Sequence, residues 1–145
     1  MRTVPSSTLL VLVLVALAAA DPAKDDLDNL QGSWKVVSLE KDGKKQPEDA
    51  LKTIKVVIKD DKFILKEGDR DSEATIKLDP SSKPKTIDLT VKEGDALKTL
   101  KGIYQLGADD LKICAAGDPG AERPKDFATK PKANVGLVVL KREKP

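Results

Sequence analysis

Few side chains in this chain could do chemistry, and their types argue against catalysis. Its 145 residues include no His. That removes the commonest general base, the His-dependent Ser and Cys nucleophiles and most zinc sites. A Gly-x-x-x-x-Gly-Lys phosphate loop is absent. The 24 acidic residues make accidental carboxylate pairs certain, and none lies in an apolar stretch that would raise its pKa toward general-acid work. Two turns, Lys66-Glu67-Gly68-Asp69 and Lys92-Glu93-Gly94-Asp95, bring acids next to Gly as calcium loops do. Both lack the Asp-x-Asp-x-Asp ligand spacing and read as similar hairpin ends. The expectation is a non-enzymatic protein without metal or cofactor.

Cys114 is the single cysteine. Its neighbours Leu111-Lys112-Ile113 and Ala115 read as a strand, so a buried, slow-reacting thiol is expected. Arginine is more informative. Arg2, Arg70, Arg123 and Arg142 stand beside 22 lysines, a background in which an arginine suggests stacking or bidentate pairing that Lys cannot provide. Trp34 is the one tryptophan, a large apolar commitment best spent at the floor of a closed interior.

Composition sets the class. Arg2, the apolar run Leu9 to Ala20 and the small residues Ala18-Ala19-Ala20 before Asp21 have the pattern of a secretory signal peptide over residues 1–20. As a helix the run spans roughly 18 Å against about 30 Å of hydrocarbon. A secreted or periplasmic protein with no transmembrane segment in its mature chain is expected. The 125 residues beyond Ala20 suit one domain with one core, taken to be monomeric. Lys and Asp are interleaved and aromatics are few, which argues against nucleic acid as a partner.

The patterning is that of strands. After a polar, flexible lead-in over 21–29, Ser33 to Glu40 forms a first strand. Pro47 to Lys52 follows as a short helix, with Pro at its start, acids in its first turn and Lys in its last. From Thr53 the apolar period is two: Ile54, Val56 and Ile58 alternate with lysines, and Ala74, Ile76 and Leu78 and then Ile87, Leu89 and Val91 repeat the device. With Lys62–Lys66, Leu100–Leu106, Leu111–Ala115 and Val135–Leu140, eight strands are expected. The architecture that closes them most simply is an all-β, antiparallel, up-and-down barrel over 30–145 with one short helix after the first strand; a two-sheet sandwich is the alternative. The long link Ala116–Asn134 carries three prolines and is expected to plug one end, with Phe127 as its anchor.

Gly32-Ser33-Trp34 resembles the Gly-x-Trp signature of lipocalins. The blocks Leu30–Val37, Lys83–Leu89, Gly102-Ile103-Tyr104, Arg123–Phe127 and Leu140-Lys141-Arg142 together resemble a family of secreted lipocalin-like proteins common in planctomycete bacteria. The resemblance covers about Leu27 to Lys144 and implies a barrel; it carries no established activity. In lipocalins an Arg near the chain end packs over the Gly-x-Trp indole. That implies a structural role for Gly32, Trp34 and Arg142, with Arg123 the other arginine considered. Two functions are consistent with such a domain: a carrier of a small apolar or amphipathic ligand, or an interaction module with a filled barrel. For a carrier, the ligand-binding residues expected are Phe127 and Tyr104 along the entrance, Trp34 at the far end, and Arg123 pairing with an anionic head group.

Overall fold

The computed structural model describes residues 21–144, so the signal-peptide reading of residues 1–20 lies outside it. In chain order the elements are α1 (Pro22–Leu30), β1 (Gly32–Lys41), β2 (Lys44–Lys45), α2 (Glu48–Leu51), β3 (Ile54–Lys59), β4 (Lys62–Glu67), β5 (Arg70–Asp79), β6 (Thr86–Glu93), β7 (Ala96–Leu106), β8 (Asp110–Ala116) and β9 (Val135–Arg142). Every neighbouring pair is antiparallel, and β1 also pairs with β9. That last ladder closes β1 and β3–β9 into an eight-stranded barrel and removes the edges a sandwich would leave. The two-residue β2 is a spur that pairs only with the end of β1. No helix among the described residues is long and apolar enough to cross a membrane.

Alternation decides which side chains enter. Val56, Ile58, Ile76, Ile87, Leu111, Ile113 and Leu140 join one buried cluster, while the residues between them face outward. The repeated tetrapeptides do the same job twice. Gly68 and Gly94 hold φ of 59° and 60° in the two-residue loops between Glu67 and Arg70 and between Glu93 and Ala96. This is the left-handed backbone that tight hairpins favour.

β1 is the irregular stave. Its register against β9 slips between Val36 and Ser38, a bulge at outward-facing Val37, 42% exposed, that reverses the alternation from Ser38 onward. Trp34 and Val36 face inward before the bulge, Leu39 and Lys41 after it. The β1–β3 ladder runs only from Gly32 to Lys35, leaving a gap in the wall beyond it. α2 covers that gap and buries Leu51. The short helix expected at Pro47–Lys52 is therefore present and has a structural task.

Two expectations are corrected. Residues 21–29 are not a flexible lead-in. Asp21 caps α1 by accepting bonds from the amides of Ala23 and Lys24 at 3.1 and 3.3 Å, and Pro22 opens the helix. Leu27 and Leu30 pack against the barrel core, so α1 is part of the folded unit. Only these two apolar side chains dock, too few to give a period against five charged neighbours in this segment.

Nor is the 117–134 link a plug in a barrel end. It lies along the outside of the wall: Arg123 bonds to backbone carbonyls of Ile87 and Gly102, Phe127 lies under Lys112, and Thr129 bonds to Glu40. Outward-facing Ile103 and Cys114 are consequently only 1% and 0% exposed. Burial pushes the Cys114 thiol above its ordinary value, with its Sγ 3.9 Å from the carbonyl of Ala128. In native buffer a soluble thiol reagent should label Cys114 at least about a hundredfold more slowly than it labels the denatured chain. Equal rates would show that the link does not stay down.

Candidate ligand-binding cavity

The two ends of the barrel differ. One is shut by α1, and the residues that hold it there are those of the Gly-x-Trp neighbourhood. The Trp34 side chain is fully buried, and its Nε1 donates to the carbonyl of Leu30 at 2.8 Å. Arg142, opposite Trp34 in the β1–β9 ladder, places its guanidinium 4.3 Å from the indole centroid. The same guanidinium donates to the carbonyls of Gln31, at 2.8 Å, and Asn29. α1 has no basic residue in its own last turn, so Arg142 supplies the positive charge its carbonyl end favours. Gly32 adopts φ of 120° at this joint, and a Cβ there would lie 3.5 Å from the Arg142 guanidinium. Gln31 ties the helix to the β3–β4 turn through both Asp60 backbone groups, at 2.7 and 2.8 Å. Of the two arginines considered for the indole, Arg142 takes the position.

Tyr104 belongs to this closed end too. Its hydroxyl donates to Asp26 Oδ2 of α1 at 2.6 Å, and the same oxygen receives Lys85 Nζ at 2.9 Å. Burial and the adjoining Asp26 carboxylate push the phenol far above its ordinary value. A phenol raised in this way contributes stability that is fully present below its unfolded value of about 10 and lost as pH climbs above it. Tyr104 is the only tyrosine, so tyrosinate absorbance reports it alone. That absorbance should stay silent past pH 11 while the fold persists and appear together with unfolding. Titration near pH 10 in the folded protein would contradict the Asp26 contact.

The opposite end is open. A cavity of about 490 Å³ enters the barrel there, walled by apolar side chains that include Phe63, Leu65, Leu89, Leu100, Ile113 and Val138. Lys41 and Glu67 are the charged residues on its lining. Its existence has a simple cause in residue size. Ala115 and Gly136 oppose one another across the β8–β9 ladder and both line the space, so two inward positions contribute almost no volume. Surrounding aliphatics cannot fill what the missing side chains leave.

None of Trp34, Tyr104, Arg123 and Phe127 lines this cavity. Trp34 and Tyr104 seal the far end, as above. Arg123 is on the outer wall, where its guanidinium lies 2.8 Å from Asp88 Oδ1 as a close ion pair without hydrogen-bond alignment. Phe127 is on the outer face of β8, its ring 5.8 Å from Lys112 Nζ. The expected grouping of these four around a ligand is thus corrected, because the long link that carries two of them runs down the outside. The lining residues carried a signal that was legible in principle: an Ala and a Gly at inward strand positions. Lys41 carried none, since alternation from Trp34 places it outside unless the bulge is known. Among the described residues no group of three or more His, Cys, Asp or Glu could hold a metal ion.

Fold and cavity together define a closed, antiparallel, lipocalin-like β-barrel with one end shut by a helix and the other open on an apolar hollow. No protein-family model, curated protein or solved structure matches the chain.

Proposed function

We propose that this protein is an exported, monomeric, non-enzymatic carrier that holds one small apolar or amphipathic ligand in the open half of its barrel, and that it belongs to the secreted lipocalin-like family its sequence resembles. The observation that carries the reading is the cavity itself: about 490 Å³, apolar-walled and open at one end. Small-molecule sites usually occupy roughly 300–1,000 Å³ and use few polar groups for orientation. Here those groups are Lys41 and Glu67, one of each sign, which suits an uncharged or zwitterionic polar head better than a fatty-acid carboxylate. A filled barrel, the premise of the interaction-module reading, does not agree with this space.

The experiment is a displacement titration. A fluorescent apolar probe such as anilinonaphthalene sulfonate is bound first, then challenged with fatty acids, isoprenoid alcohols and monoacylglycerols. Saturable 1:1 displacement, with the neutral amphiphiles ahead of the acids, is the expected result. Arg123→Ala should leave these affinities unchanged, because Arg123 is tied to the outer wall. Absence of binding by every probe and competitor would overturn the carrier reading, and a strong loss on Arg123→Ala would move the ligand outside the barrel.

A further inference from the structure

The outer wall carries a second feature, independent of the cavity. Strand register places Lys66 of β4 opposite Lys55 of β3, Lys55 opposite Lys35 of β1, and Lys35 opposite Lys141 of β9. All four occupy outward positions, so they form one row running across four adjacent strands. Like charges directly opposite on a sheet destabilise it, and this row contains three such pairs in succession. Among the described residues its one ion pair is Lys55 with Glu143, at 2.9 Å. Elsewhere like pairs stand singly, Lys59 opposite Lys62 and Lys41 opposite Lys44, and Asp88 is flanked in register by Lys77 and Lys101. The row differs in running like pairs on across successive strands, bounded in register by Asp71 of β5 and Asp110 of β8.

Shape adds to charge. Lys35 is the shared wall of two shallow surface hollows, of about 460 and 540 Å³. The first continues past Lys52 and Lys55 beside α2, the second past Lys141 and Lys144. Outward-facing Val37 lines both, as does Glu143. The result is a trough across β3, β1 and β9 in which five lysines outnumber Glu48 and Glu143, with a lysine of the row at each strand step of about 4.8 Å; Lys66 continues the row beyond the hollows.

We propose that this trough docks a linear acidic polysaccharide, with successive anionic groups pairing along the lysine row. An extended polymer bearing one acidic group per sugar can present charges in a line, and a flexible one can follow a convex wall. The row spans three of the eight strand-to-strand steps around the barrel, so a flat membrane could meet only part of it at once. The trough holds no aromatic side chain, which leaves single-stranded nucleic acid without its usual stacking platforms.

Polygalacturonate is the probe for the test, with neutral dextran, phosphatidylglycerol vesicles and single-stranded DNA run beside it. The folded chain should bind polygalacturonate saturably and lose affinity steeply between low and physiological salt, as exposed charge pairing does. Lys35→Gln with Lys141→Gln should weaken that binding by about tenfold or more at low salt and raise the melting temperature, since the same change relieves like-charge repulsion. Lys92→Gln with Lys98→Gln removes equal charge from the β6–β7 hairpin and should change polygalacturonate affinity less than about twofold. Equal weakening by both pairs would reduce the effect to net charge and overturn the proposal. Preference for the vesicles or the DNA, binding of dextran, or no binding of polygalacturonate would overturn it as well. Cavity ligands should bind equally well to both double variants, so this proposal and the carrier reading can fail separately.

Discussion

Replacing Trp34 with Ala should lower the stability of this protein by about 3–5 kcal/mol, the range for deleting a large buried aromatic, and should do so through more than lost area. The side chain is fully buried. Its Nε1–H satisfies the carbonyl of Leu30 at the end of α1, and its face carries the Arg142 guanidinium at 4.3 Å. Removing the indole leaves a cavity, an unpartnered helix carbonyl and a guanidinium without its stacking surface. Urea unfolding followed by circular dichroism measures the loss. Arg142→Lys separates the parts. It keeps the charge but loses the planar contact and the fork that reaches Asn29 and Gln31, and should cost about 0.5–2 kcal/mol. An Arg142→Lys protein as stable as wild type, with unchanged Trp emission, would show that the stack contributes nothing.

The second large effect has the opposite sign in stability. Gly136→Leu should stabilise the empty protein by about 1–2 kcal/mol and lower affinity for any cavity ligand by roughly tenfold or more. Gly136 lines the hollow, and the nearest heavy atom to a Cβ built there is the Glu40 carbonyl oxygen at 4.0 Å, so a side chain enters open space without a clash. A Leu placed there buries apolar surface and takes the position a ligand would use, while removing a strand Gly adds a smaller gain. Thermal melts with and without a bound probe read both quantities. A variant that is stabilised yet binds as tightly as wild type would place the ligand elsewhere. One that is destabilised would mean the hollow closes up around Gly136 in solution.

The barrel was legible because its signal is local and repeated. Ile54, Val56 and Ile58, and the matching triplets in β5 and β6, show which face is inside, and short turns between them leave few ways to connect the strands. Cys114 and the α2 helix were legible for similar reasons of local context. The site was not, and the causes are specific. α1 contacts the core through Leu27 and Leu30 and is otherwise fixed by polar bonds over long sequence separations, such as Tyr104 to Asp26 and Arg142 to Asn29. No periodicity encodes such bonds. With α1 unseen, the 117–134 link was the natural choice to cover a barrel end, and Arg123 and Phe127 were drawn to the cavity with it. One bulged residue, Val37, inverted the facing of everything after it in β1 and hid Lys41. The lysine row is a property of strand register, which depends on turn lengths and bulges as well as on residue type.

Native mass spectrometry of the protein purified from its own host tests the central claim most directly. Wild type is predicted to carry a single non-covalent adduct of amphiphile size, released on unfolding. Gly136→Leu, prepared in the same way, should arrive empty. A wild-type protein that arrives empty and still takes up nothing from saturating neutral lipids, isoprenoid alcohols and fatty acids would contradict the account, as would an adduct held equally by wild type and Gly136→Leu.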